Sequence, residues 1–295
     1  MISSIPILAS AFLAASRAAA HPSSSPSTRR GTGVIQCPVV LSGLVSSGAT
    51  VADFDAAATS PFSPDFVRGS EPFSQILLLP GVAPGSRFDN DSTQALEVTI
   101  DDASVFQAQN GFRRVGLQFR DDSNEGGGRG AVGVRTLHWS VKQDPAKPLN
   151  LTHEYLNVWH EAADFSANQF NFEMGTIIGT SGADKNNFKI LNRQNIEVFS
   201  VPVDDAAWQN FAITLDFDKN TIQIYYSTGD EPLEAVTDVL TNDNSGGGQY
   251  QIGMLKKPTG TDDVVNSGFQ ETGIDEGQIY GGLFLEDSAD GCISL

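Results

Sequence analysis

The sequence predicts an all-β, single-domain β-jelly roll: two packed antiparallel sheets, one of them carrying a concave polar and aromatic groove. Three observations predict it. Apolar residues recur with a period of two over short segments, which is the periodicity of half-buried strands. Clusters of Gly, Asn, Asp and Pro break the chain between those segments. Heptads, long amphipathic helices and internal repeats are not found, so the layers have to be sheets.

The domain reading runs along the chain in three parts. Residues 1–20 read as a secretory signal peptide, because the apolar run "ISSIPILASAFLAA" is too short to span a membrane and closes on Ala18-Ala19-Ala20. Residues 21–36 read as a Ser/Pro spacer or propeptide, "HPSSSPSTRR" being too polar to bury a core. Its pair Arg29-Arg30 is either a second processing site or two solvated charges. Residues 37–295 read as the folded domain, acting outside the cell as a monomer.

The formal net charge is −18, and loss of Arg17, Arg29 and Arg30 with residues 1–30 makes it −21. A surface of that sign repels nucleic acid and anionic membranes, which excludes both as partners. Cys37 and Cys292 are the two cysteines, near the ends of the domain, and an oxidising compartment predicts a disulfide between them. Asn90-Asp91-Ser92 and Asn150-Leu151-Thr152 are glycosylation sequons in turn-like surroundings.

The candidate strands are "ALEVTI", "FRRVGLQFR", "RTLHWSVKQ", "HEYLNVWHE", "NQFNFEM", "NFAITLDF", "TIQIYYS", "YQIGML" and "IYGGLFLE". The cleanest hairpin joins "NFAITLDF" to "TIQIYYS" through Asp218-Lys219-Asn220. Alternation then sorts side chains by face. In the first long strand Val115, Leu117 and Phe119 oppose Arg114, Gly116, Gln118 and Arg120. In the next, Leu137, Trp139 and Val141 oppose Thr136, His138, Ser140 and Lys142. In "HEYLNVWHE", Leu156 and Val158 oppose His153, Tyr155, Asn157, Trp159 and Glu161. In "NQFNFEM", Phe170 and Phe172 oppose Gln169, Asn171 and Glu173.

If these strands are neighbours, their polar sides form one surface rich in Arg, His, Tyr, Asn, Trp, Gln and Glu. That composition suits carbohydrate, since aromatic rings stack on sugars while amides and guanidinium groups bind hydroxyls. An ordinary solvated sheet face is the competing reading. Arg114, Gln118, Tyr155, Asn157, Trp159 and Gln169 are the proposed sugar contacts. Glu161 is the leading catalytic candidate, because Trp159 and Tyr155 beside it would desolvate its carboxyl group and raise its pKa. His138 is a second candidate, as a carboxylate partner or proton shuttle, with a structural histidine equally open. Glu154 is a third, although its parity points it to the core unless a bulge intervenes. His21 heads the spacer rather than packing beside a second histidine, so a copper site of the N-terminal-histidine kind is not favoured. "EDSADG" is only a loose calcium-loop pattern. No metal ligand set is assigned.

Beyond these residue-level readings, "LNLTHEYLNVWHEAADFSANQFNFEMGTIIG", "WQNFAITLDFDKNTIQIYYSTGDEPLEAVT", "GQYQIGMLKKPTG" and "IYGGLFLEDSADGC" resemble fungal glycoside hydrolase family 131 over essentially the whole domain. The resemblance implies a β-jelly roll and hydrolysis of β-glucans, with action on β-1,3, β-1,6 and β-1,4 linkages, inversion and no cofactor. Carried over by motif, one family glutamate falls on Glu161 in "VWHEA" and a histidine falls on His138 in "LHWS". The other catalytic glutamate follows an Arg-Arg pair, where this chain has "RRVG" and places Gly116. A further histidine position is Gln209 in "WQNFA". Without the second carboxyl group the expected acid–base pair is incomplete, and Glu154, Glu173, Asp121 and Asp122 are the acids left to complete it. Two other readings stay open: a non-catalytic glucan-binding or cell-wall protein, and a polysaccharide lyase using Arg114 and Arg120 to bind uronates with Tyr155 or His138 as base.

Overall fold

A computed structural model describes residues 33–83, 85–180, 182 and 184–295. The signal-peptide reading and most of the spacer lie outside the described residues. Among these, strands of four residues or more are β1 (Val39–Ser42), β2 (Leu96–Asp101), β3 (Arg113–Leu117), β4 (Val134–Gln143), β5 (Glu154–Glu161), β6 (Asn168–Gly175), β7 (Asn187–Asn192), β8 (Glu197–Pro202), β9 (Gln209–Asp216), β10 (Thr221–Thr228), β11 (Gln249–Lys256) and β12 (Asp275–Asp287).

All pairings among them are antiparallel, and they build two sheets. The first runs β10-β9-β4-β12-β2, with β1 alongside the second half of β12. The second runs β8-β7-β6-β5-β11-β3. This is the two-sheet jelly-roll arrangement expected from the period-two pattern. The predicted hairpin is β9–β10, with Ile213 opposite Ile224 and Leu215 opposite Ile222. The Asp216 carboxylate accepts the Asp218 and Lys219 N–H groups, and Asn220 takes the left-handed conformation that closes the turn.

The core fills the space between the sheets. Leu137, Trp139, Val141, Phe211 and Ile213 from the first sheet meet Val115, Leu117, Val158, Phe170, Phe172 and Ile252 from the second, all essentially inaccessible. Trp139 is its centre, with the Phe172 and Phe211 rings 5.2 and 5.4 Å away. Side chains on the outer face of each sheet therefore point to opposite exteriors of the sandwich.

The Cys37–Cys292 disulfide is present and links residues 255 apart in sequence, tying the entry to β1 to the segment after β12. Beside it, the Ser294 hydroxyl receives the Gln36 N–H and donates to Glu286. A loop of this length gives a cross-link near its largest effect on the unfolded chain, about 5 kcal/mol in the entropic account. Replacing both cysteines by serine is expected to lower the unfolding free energy by about 2–5 kcal/mol, read from urea denaturation of the two proteins.

Candidate active site

The outer face of the second sheet forms the floor of a groove of about 1100 Å³. Its position follows from the pleat: core residues on β3, β5, β6 and β11 alternate with groove residues. One inserted residue changes which groove residues β5 supplies. The ladder to β6 pairs Leu156 with Glu173 and Val158 with Phe172, leaving Asn157 as a bulge. The ladder to β11 shifts at the same place, between Leu255 and Ile252. There Gly253 approaches β3 so closely that a Cβ would lie 2.1 Å from the Val115 carbonyl oxygen. The bulge resets the alternation, so Glu154 and Leu156 share the groove with Trp159 and Glu161, while Tyr155, Val158 and His160 face inward.

Glu161 is held by two glutamines from β11. The Gln251 Nε2 group donates to its Oε2, and the Gln249 side chain also hydrogen-bonds to it. Arg114 in turn donates to Gln251 Oε1 at 3.1 Å, and Gln118 donates to Gln249 Oε1. Each amide thus points its nitrogen at Glu161 because its oxygen is occupied by a donor, Arg114 on β3 or Gln118 just after it. The Arg114 guanidinium also lies over the Trp159 ring, 5.8 Å from its centroid. Burial raises the Glu161 pKa, outweighing the opposing pull of Arg114 and the two amides. Burial also brings Arg114 down to about 10, with Glu161 opposing the shift.

A second acidic group occupies the other end of the floor. Glu154 pairs with Lys257 and accepts the Ile178 N–H at 2.6 Å. Glu173 is buried, with Oε2 lacking a hydrogen-bond partner. Burial first and the Glu154 charge second push its pKa up to about 8, against Lys257 and Lys189. Glu154 and Glu161 are seven strand steps apart, roughly 20 Å at ~3.3 Å per residue. Glu173, opposite Leu156, is roughly 15 Å away by the same measure. Paired glycosidase carboxyl groups lie about 5–10 Å apart, so neither makes a pair with Glu161. Asp262 also lines the groove, exposed on the loop after β11.

The glycoside hydrolase 131 catalytic N-terminal domain matches this chain over residues 39–291. The chain belongs to glycoside hydrolase family 131. The family 131 β-glucanase catalytic domain from Podospora anserina superposes with a TM-score of 0.70 at 19% identity, covering 87% of this chain and 97% of that one. The family 131 catalytic domain from Coprinopsis cinerea gives 0.66 at 21% identity, covering 87% and 96%. No curated protein sequence matches the chain.

Within this family 131 fold, Arg114, Trp159 and Glu161 meet in the groove, with Gln118 behind them in the amide chain. Glu154 joins the same floor, against its simple parity, because of the bulge. Four expectations are corrected. His138 lies on β4 in the opposite sheet, so its face looks out of the other side of the sandwich. There it stacks on Phe284 at 4.4 Å and bonds Glu286 at 2.8 Å, fully buried. Tyr155 faces inward and donates to Glu276. Asn157 is the bulged residue, buried, with its side-chain oxygen and nitrogen lacking partners. A second ladder shift between His160 and Glu161 turns Gln169 away from the groove, where its Oε1 accepts from His160 Nδ1 at 2.7 Å and its Nε2 donates to the Ser245 and Gly247 carbonyls. Gln209 binds the Pro202 carbonyl and the Tyr226 hydroxyl, outside the groove.

Of the remaining acids, Asp122 is buried under the Tyr250 N–H, raised to about 6 by that burial, and Asp121 sits beside Arg120; neither lines the groove. Among the sequons, Asn90 is exposed, whereas the Asn150 amide nitrogen donates to Glu271. The sequence reading missed Gln249 and Gln251. Their parity in "GQYQIGML" was the available signal, since Tyr250 and Ile252 alternate with them.

The raised Glu173 group has a consequence for stability. Its folded-state pKa lies above its unfolded one, so the folded protein holds an extra proton between the usual glutamate range and about 8. Stability therefore falls as pH rises through that window and levels off above it. Glu173→Gln is expected to remove this decline, raising the melting temperature at pH 8 relative to wild type while changing it little at pH 4.5; melting curves across pH for the two proteins measure it.

Proposed function

We propose that this protein is a secreted β-glucan hydrolase whose groove holds a glucan chain and whose Glu161 carboxyl group handles the proton at the glycosidic bond. The observation that carries the reading is Glu161 itself. It is a carboxyl group on the groove floor, raised in pKa by burial, oriented by Gln249 and Gln251, and set beside Trp159. A carboxyl group raised by burial keeps its proton to higher pH than a solvated glutamate and can donate it to the leaving-group oxygen. The inverting outcome implied by the family resemblance also needs a base to take the proton of the attacking water, a part that neither Glu154 nor Glu173 is placed to play. The β-1,3, β-1,6 and β-1,4 linkages implied by the family resemblance are the proposed substrates.

A second reading is favoured by Gly116. It stands on β3 where its side chain would enter the site: a Cβ there would be 3.2 Å from Gln251 Oε1 and 3.3 Å from Val67 Cβ. A glycine supplies no base to activate the water. The second reading is therefore a domain that binds glucan and turns it over slowly or not at all.

Reducing-sugar release from a panel of β-glucans separates the two. Glu161→Gln is expected to cut hydrolysis by at least about a hundredfold while leaving oligosaccharide binding in place; unchanged turnover would remove Glu161 from the mechanism. Wild-type binding without any product would establish the second reading.

Gly116→Glu tests the missing group from the other side. The Gln251 amide and the Val67 segment each have to give by a few tenths of an ångström, so melting curves first establish that the variant folds. Its turnover on the preferred β-glucan should rise at least about tenfold over wild type. A folded variant with no gain would show that the absent carboxyl group does not limit the reaction.

A further inference from the structure

The loop 162–167 joins β5 to β6 and starts one residue after Glu161. Its Phe165 is 65% exposed and belongs to none of the hydrophobic clusters of the fold. Its φ is +60°, a left-handed conformation that suits Gly or Asn and costs a bulky L-residue free energy. The loop is not free to relax out of it. The Phe165 N–H donates to the Ala162 carbonyl at 2.9 Å, and the Ala162 N–H donates to the Ala167 carbonyl at 2.9 Å. The Asp164 carboxylate accepts the Ser166 N–H and hydroxyl, and Asn124 donates to the Ala163 carbonyl at 3.0 Å. So an apolar ring is presented to water from a strained and well-tied backbone. The ring is in none of the core clusters, and Asn or Gly at this position would be less strained. The ring lines the groove at the Glu161 end. Strain that the fold does not need is a pointer to a ligand.

The geometry points to Phe165 as an aromatic platform on which one pyranose ring of a bound β-glucan stacks, at the end of the groove next to Glu161. A β-linked glucose unit carries its hydroxyl groups at the ring rim and C–H bonds on its faces. A phenyl ring without a hydroxyl matches such a face and adds no competing donor. The groove floor supplies the complementary part: Asn168 and Asn171 line it along β6, where they can meet rim hydroxyls. Phe165 is thus a positioning residue for substrate, not a group that moves protons. This inference rests on the glucan reading of the groove.

Isothermal titration of laminari- and cello-oligosaccharides tests it, using the Glu161→Gln protein to stop turnover. Phe165→Asn and Phe165→Gly in that background are expected to bind roughly five- to thirty-fold more weakly, the range for exposing part of a phenyl ring. Phe165→Tyr should keep the affinity. Both Phe165→Asn and Phe165→Gly should melt at or above the temperature of the parent, because they relieve the positive φ. Weak binding together with undiminished stability would separate a ligand platform from a structural residue. Equal affinity of Phe165→Gly and the parent would overturn the inference alone. Failure of both the Glu161→Gln parent and the wild-type protein to bind any β-glucan oligosaccharide would overturn the glucan reading and this inference with it.

Discussion

The single inserted residue at Asn157 governs what the groove can do. A strand alternates its faces strictly, so every groove-facing residue on β5 follows from where that alternation is reset. With the bulge, Glu154 and Leu156 look the same way as Trp159 and Glu161; without it, one pair would be buried in the core. The same insertion is accommodated across the ladder on β11, where Gly253 comes close to the β3 backbone. The bulge therefore couples three strands of the floor, and it leaves the unpaired Asn157 amide buried beside them as its cost.

Electrostatics then divides the groove into two unlike ends. At one end Glu161 and Arg114 face each other through Gln251 rather than in a direct ion pair. An intervening amide keeps both charges partly unsatisfied, so burial still raises the carboxyl and lowers the guanidinium. At the other end Glu154 takes the Lys257 ammonium and an N–H, leaving Glu173 buried beside a negative neighbour. The pair resolves this by holding Glu173 protonated. A strongly acidic chain thus has a groove floor with little net charge.

Much of the fold was legible because period-two patterning, turn chemistry and the cysteine pair are local or compositional signals. The β9–β10 hairpin, the inward faces of β3 and β4, and the Cys37–Cys292 bridge were all readable in this way. The site was legible only in part. Parity identifies faces within one strand but does not say which sheet the strand joins, and so alternation alone groups His138 with residues that leave the sandwich on the opposite side. Nor does parity survive a bulge, which is why simple alternation puts Glu154 inward and Tyr155, Asn157 and Gln169 outward. Bulges depend on how two ladders fit together, and no residue type in "HEYLNVWHE" announces one.

The remaining tension lies at the outer edge of β3. That edge is not open: the Gly116 N–H donates to the Val67 carbonyl at 2.8 Å, Ser63 donates to the Gln118 carbonyl, and Arg120 donates to the Pro61 carbonyl. The segment 61–67 therefore pairs along β3 and satisfies backbone groups that would otherwise face solvent. It also brings Val67 to within contact of the place where a side chain at 116 would stand. Glycine and the covering segment fit one another, and together they narrow the groove beside Gln251. The space a side chain at 116 would need is thus taken partly by the backbone-paired Val67. What is left at this end is an acid, a guanidinium and two amides in one hydrogen-bonded chain, with each amide oxygen taken by a donor and each amide nitrogen turned to the acid.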